Sequence, residues 1–227
     1  LAAHAIPTEF KNNRAAWIEL LCKKLLPEVK RKRLAAFVDV FCDSGYYTNQ
    51  EAEKIFIAAK KIGFSLRMHG DELADTSGAE LGARLGALSV DHLLKISKSG
   101  IRALAESNTI ATLLPGTSLF LREPPAPARA LIDAGAAVAL ATDFNPGTCP
   151  TQNLPFIASL GAIQLGMTPA EIIAAITWNA ARALGCADKY GALIPGYLGE
   201  PVFAYGGDPA AVLYNLAPAG MVIPPKL

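Results

Sequence analysis

The sequence predicts an α/β fold: a parallel sheet wrapped by helices, built as an incomplete (β/α)8 TIM-type barrel. Three observations predict it. Short runs of small and branched apolar residues recur along the 227-residue chain. They are too continuous to alternate between wet and dry faces, as expected of strands buried on both sides. Between them lie stretches with helical apolar spacing, opened by capping residues and closed by glycines. The alternation repeats roughly every 25 residues, the rhythm of strand–helix–strand units. Six candidate strands centre near residues 2, 38, 66, 89, 111 and 139, whereas a closed barrel of this class needs eight.

Taken in order, Leu1 to Ile6 is short, apolar and holds His4. The chain opens with Leu rather than Met, inside what reads as a strand, which predicts further residues upstream. Arg14 to about Val29 reads as a helix with Trp17, Leu20, Leu21 and Leu25 on one face. Lys23, Lys24, Lys30, Arg31, Lys32 and Arg33 read as its solvated face and exit, without the aromatic interleaving of a nucleic-acid groove. Ala36–Phe41 is the next strand. Thr48 and Glu51 form a capping box for a helix over Asn49–Ile62, with Ala52, Ile55, Phe56 and Ala59 as its buried stripe and Gly63 as its stop. A strand from Phe64 leads to His69. Ala79–Leu85 is a short helix closed by Gly86, and a strand from Ala87 leads to His92. Ser97 caps a helix running to about Glu106. Thr109–Leu114 is a strand stopped by Pro115 and Gly116, and Ala126–Ala134 is a helix closed by Gly135. The strand from Ala136 ends at Asp143. Leu154–Leu165 is a helix ending at Gly166. Thr168 and Glu171 form a second capping box, with Pro169 at the first helical position of a helix running to Leu184. From Tyr190 the composition turns rich in Gly and Pro. This divides the chain into a strand-and-helix portion over 1–189 and a tail over 190–227 of different composition.

Composition narrows the function. The 21 basic and 20 acidic residues give a net charge of +1, so no nucleic acid or other polyanion is implied as partner. No apolar run reaches the length of a membrane span, and no signal peptide opens the chain. Cys22, Cys42, Cys149 and Cys186 are scattered with no Cys-x-x-Cys, which suits a reduced, cytoplasmic protein.

The chemistry gathers at strand ends. One strand runs into His69, Asp71 and Glu72, another into Asp91 and His92, and a third into Asp143 followed by Asn145, Pro146, Gly147 and Thr148. In α/β barrels the active site lies at the C-terminal ends of the strands. Singly, each His reads as a hydrogen-bonded structural residue, and Asp143 as a cap of the loop or next helix. Repeated, the pattern suits ligands converging on one divalent metal, where imidazole and carboxylate together fit zinc or iron.

Several stretches carry a resemblance. Ala3-His-Ala-Ile-Pro7, Asp39-Val-Phe-Cys42, Met68-His-Gly-Asp-Glu72, Ser89-Val-Asp-His-Leu93, Leu113-Leu-Pro-Gly-Thr117 and Ala141-Thr-Asp-Phe-Asn-Pro-Gly147 occur in the order found in the imidazolonepropionase family of the amidohydrolase superfamily. The chain resembles that family over residues 1 to about 190. The resemblance implies a metal-dependent amidohydrolase barrel lacking its first two strands, since the family's His-x-His metal motif, substrate-binding Arg and Tyr are not in this sequence. It implies His69 and Asp143 as metal ligands, and Asp143, His92 and Glu72 as catalytic groups. His4, Glu72, Asn145, Gly147 and Thr148 would hold the substrate. The expected reaction opens the ring of 4-imidazolone-5-propanoate to N-formimidoyl-L-glutamate in histidine degradation. The alternatives are an amidohydrolase or deaminase for another heterocycle, or a non-catalytic incomplete barrel. Exposed sheet edges would favour a homodimer. The resemblance also implies a barrel portion over 1–189 and a small β-rich segment over 190–227; the tail passage Gly191-Ala-Leu-Ile-Pro-Gly196 keeps the family's glycines, but the Ala-Asp pair that follows in the family is missing.

Overall fold

The computed structural model describes residues 2–198, 203–204, 210, 213 and 221–222. Five strands form one parallel sheet: β1 (Phe37–Cys42), β2 (Ser65–Gly70), β3 (Ser89–His92), β4 (Ile110–Leu113) and β5 (Val138–Leu140), in the order β1-β2-β3-β4-β5. The expected α/β class and parallel pairing are present. The strand expected near residue 2 is not. Residues 2–4 form a turn that meets β1 through one backbone bond, from the Phe41 N–H to the Ala3 carbonyl (3.0 Å). A ladder needs repeated bonds, and here the buried Tyr47 hydroxyl lies against the carbonyls of Ala2 (3.1 Å) and Ala5 (3.2 Å) instead. Trp17 Nε1 donates to the same hydroxyl (2.8 Å), pinning the turn that carries His4.

The helices follow their sequence signals with three informative departures. The first helix is continuous but divided into α1 (Arg14–Leu20), a π turn (Leu21–Leu25) and α2 (Leu26–Arg31). Pro27 lacks an N–H and would crowd the carbonyl four residues back, and a widened turn just before it relieves both. Helices α3 (Asn49–Lys61), α4 (Gly78–Leu85) and α5 (Lys98–Ala105) come next. Pro115 and Gly116 end a strand as expected, yet Pro115 also opens a helix the sequence reading missed, α6 (Pro115–Leu121). Proline suits a first helical position, where its missing N–H costs nothing. Then come α7 (Ala128–Asp133), α8 (Leu154–Ile163), α9 (Pro169–Ile176) and α10 (Trp178–Ala183). The last two were expected as one helix. They break at Thr177, whose hydroxyl bonds back to the Ile173 carbonyl (2.6 Å), and Asn179 in α10 donates to the Val138 carbonyl of β5 (2.8 Å). Both capping boxes are formed.

Strand register assigns the faces. In parallel pairs, register partners share a side of the sheet. Phe41, His69, Asp91, Thr112 and Ala139 form one row across all five strands, and Asp39, Arg67 and Ser89 form the row below. The opposite face carries Val40, Met68 and Val90, all fully buried beneath α3 and α4. Glycine lets α4 approach closely: a Cβ on Gly82 would lie 2.4 Å from Val90 Cγ2. One face of the sheet therefore carries these polar side chains, with Phe41, Ile110 and Ala139 among them, and the other is wholly core. Beyond Tyr190 the described residues include a two-residue antiparallel pairing of Phe203–Ala204 with Met221–Val222. Most of the expected β-rich segment lies outside the described residues. Among the described residues, no helix is long and apolar enough to cross a membrane.

Candidate functional site

The polar face gathers its chemistry at the C-terminal ends of β1, β2 and β3. His69 Nδ1 lies 2.8 Å from Asp39 Oδ1, on the neighbouring strand. His4 comes in from the pinned turn, with Nε2 at 3.6 Å from the same oxygen and its ring 4.7 Å from that of His69. Ligand atoms of His4, Asp39 and His69 all lie within 4.8 Å of one another. Burial works against the Asp39 carboxylate, but the two imidazoles hold it well below the usual carboxylate range. Burial also works against a charged His69, yet Asp39, helped by Asp91 and Asp143, raises it to about 9. The two form an ion pair.

His92 reaches this group by breaking strand geometry. Its register partner is Gly70, so regular pleating would turn it toward the helices. Its φ of +79°, followed by +62° at Leu93, redirects it, and its ring sits 5.2 Å from His69. Burial, reinforced by the charge of His69, lowers its pKa to about 4, so His92 is a neutral imidazole at neutral pH. Its Nδ1 is buried without a hydrogen-bond partner, and the nearest carboxylate is Glu72, with Oε1 at 3.5 Å. Burial raises Glu72 to about 7; the charge on His69 opposes this, while Asp43 and Asp143 add to it.

Asp143 follows β5 with φ of +51°, and its Oδ2 accepts a bond from the Thr117 hydroxyl of α6 (2.6 Å). Asp71, His92, Leu93 and Asp143 all adopt left-handed backbone at or just past strand ends. Such conformations cost about 1–3 kcal/mol each in non-glycine residues and gather where function needs them. Asn145 spends its side chain on its own loop. Oδ1 accepts from the N–H groups of Gly147 (2.8 Å) and Thr148 (2.7 Å), and Nδ2 donates to the Asp143 carbonyl (2.8 Å). The Asn145–Thr148 loop is thereby a rigid frame that presents backbone groups.

The structure thus clusters His4, His69, His92 and Glu72. Asp143 is not one of the three mutually close ligand residues, though its charge acts on both His69 and Glu72. Sequence reasoning missed Asp39 and Thr117 as site residues. Asp39 had one available signal: it opens the Asp39-Val-Phe-Cys42 stretch that carries part of the family resemblance. A cavity of about 290 Å³ is lined by Glu72, Leu73, Lys95, Thr117 and Ser118, beside the cluster. A larger open groove of about 670 Å³ lies between α1 and α3, but its charged pair Arg14–Glu51 is already mutually satisfied and none of the clustered residues lines it.

Residues 18–225 match the model of the amidohydrolase family. The chain belongs to the amidohydrolase family. Members of this family are metal-dependent. The chain is 48% identical over 202 residues to an imidazolonepropionase of Porphyromonas gingivalis, covering 89% of this chain and 48% of that protein. It is 47% identical over 193 residues to an imidazolonepropionase of Fusobacterium nucleatum, covering 85% and 46%. The chain thus spans about half the length of the curated relatives it matches. Among solved structures, a zinc-bound adenosine deaminase from Xanthomonas campestris superposes with a TM-score of 0.64 at 18% identity, over 78% of this chain and 47% of that one. A Xaa-Pro dipeptidase gives 0.65 at 18% identity, over 84% and 55%. At such identities these two likenesses concern the fold alone.

Proposed function

We propose that these residues form part of the active site of a hydrolase that opens 4-imidazolone-5-propanoate to N-formimidoyl-L-glutamate, on a sheet that is part of an eight-stranded barrel. The observation that carries it is the convergence of His69 and Glu72 from the end of β2, His92 from the end of β3 and His4 from the N-terminal turn, in a chain nearly half identical to imidazolonepropionases over most of its length. The donor set fits a divalent metal, zinc or iron. His4, Asp39 and His69 offer imidazole and carboxylate atoms within 4.8 Å of each other, and His4 Nε2 is buried without a hydrogen-bond partner. By the family resemblance His69 and Asp143 would hold the ion, His69 through Nε2 once the proton there is displaced, while Asp39 accepts its Nδ1–H. Such an ion, when bound, would supply Lewis acidity, lowering the pKa of a water toward about 7.

The chain's own groups supply the rest. The Asp143 carboxylate, oriented by the Thr117 hydroxyl, takes a proton from the attacking water and returns it to the ring nitrogen as the C–N bond breaks. Neutral His92 donates one N–H toward the developing oxyanion, an effect on the order of 3 kcal/mol for a single donor. Glu72 accepts from the ring N–H groups. His4 contacts the substrate, and Asn145, Gly147 and Thr148 offer backbone and hydroxyl contacts. The test is turnover of 4-imidazolone-5-propanoate by the wild-type protein and by Asp143→Asn. The variant should lose at least 100-fold in kcat, the order expected when a proton-transfer group is removed. Near-wild-type turnover would end the assignment. Activity on another cyclic amide, with none on this one, would favour a different heterocycle.

A further inference from the structure

Glu72 has no support of its own; its backbone hangs from a buried carboxylate on the neighbouring strand end. Asp43, just past β1, is 4% exposed. Its Oδ2 accepts the N–H groups of Glu72 (2.7 Å) and Leu73 (3.0 Å), and its Oδ1 those of Ala74 (3.2 Å) and Ser44 (2.7 Å). Four backbone donors converge on one anion, so the loop after β2 is wrapped around Asp43 much as backbone nests wrap a bound anion. A second buried carboxylate, Asp71, holds the far side of the same loop through the N–H groups of Thr76 (3.0 Å), Gly78 (3.0 Å) and Ala79 (2.9 Å). Glu72 lies within the Asp43 clamp, and its carboxylate stands with Oε1 at 3.5 Å from His92 Nδ1.

We propose that Asp43 is a positioning residue that sets where the Glu72 carboxylate stands relative to His92. Its functional meaning rests on the proposed role of Glu72 as the group that reads the substrate ring. Asp43→Asn keeps the shape but not the acceptors. Whichever way the amide is turned, its nitrogen faces two backbone N–H groups that have lost their partner.

The test is amide exchange and proton–proton contact by NMR on the chain in wild-type and D43N forms. Two of the four amides at Ser44, Glu72, Leu73 and Ala74 should exchange at least about tenfold faster, the loss expected for a charge-assisted bond. The contact between the Glu72 γ-protons and the His92 ring should disappear, while amides of α9 stay unchanged. Unchanged protection at 72–74 would overturn the proposal. So would faster exchange with the Glu72–His92 contact intact, because a merely structural clamp gives that result. Should D43N not fold, Asp43→Glu keeps the charge and shifts the carboxylate by one methylene. It carries the same comparison: Glu72 must move relative to His92 while α9 does not. Turnover of 4-imidazolone-5-propanoate by Glu72→Gln tests the role of Glu72 separately. Full activity there ends that role and leaves the Asp43 result standing.

Discussion

Replacing Gly82 by Ala gives a sharp test of how the sheet is held beneath its site. The new Cβ would lie 2.4 Å from Val90 Cγ2 and 3.6 Å from Met68 Sδ. The first distance is roughly 1 Å short of ordinary carbon–carbon contact. Val90 cannot swing away, because it is fully buried and β-branched residues are stiff at χ1. Helix α4 must therefore lift from β2 and β3, the strands that end in His69 and His92. Overpacking of this kind costs about 1–3 kcal/mol. Alanine returns up to about 1 kcal/mol of helix propensity. The net destabilisation is about 1–2 kcal/mol, a fall in Tm of roughly 2–8 °C for a chain of this size. Urea unfolding followed by circular dichroism measures it. Val90→Ala alone should also destabilise, by about 2 kcal/mol for a buried truncation. In the G82A background, however, it makes room for the new methyl. The two changes should couple favourably by about 0.5–3 kcal/mol. A G82A protein as stable as wild type, or strict additivity with V90A, would refute the close approach.

Other expectations follow from single contacts. Asp39→Asn removes the acceptor for His69 Nδ1, so zinc affinity by equilibrium dialysis should drop about 10–100-fold; unchanged affinity would remove Asp39 from the site. Glu51 is bound by Arg14 at 2.6 and 2.8 Å and caps α3, and the Arg14 hydrogen bonds hold its carboxyl below the ordinary 4.5. A depressed pKa stabilises the fold above the unfolded-state value and ceases to do so as pH falls through the folded-state value. Melting curves of wild type and Glu51→Gln should therefore differ at neutral pH and converge as the pH falls through the depressed folded-state value; a constant gap would contradict this. Alkylation under native conditions should modify Cys22 and Cys186 ahead of Cys42 and Cys149, which are 0% and 2% exposed. Burial pushes the Cys42 thiol up to about 12, so mass spectrometry after brief treatment at pH 8 should find it unmodified.

By itself the sequence determined what short-range physics dictates. Helical periodicity and capping chemistry placed most of the helices, and both capping boxes formed where Thr48, Glu51, Thr168 and Glu171 stand. Continuous apolar runs placed five strands and put His69 and His92 at strand ends, with Asp143 three residues past another. The errors came where one signal serves two outcomes. Pro115 ends a strand and begins a helix, and an apolar stretch near residue 2 became a turn because Tyr47, distant in sequence, claims its carbonyls.

The tertiary structure alone decided which residues meet. Asp39 looks like any polar residue in a strand until register sets it on the same face as the neighbouring strand's polar row, beside His69. Strand parity would have sent His92 into the core, and only its left-handed backbone brings it to the cluster. Asp43 and Asp71 read as loop aspartates, yet each gathers backbone donors spread over several residues. The physical reason is range. Periodicity and caps act within a few residues, whereas register, redirected strand ends and shared carboxylates depend on segments far apart in the chain being brought together.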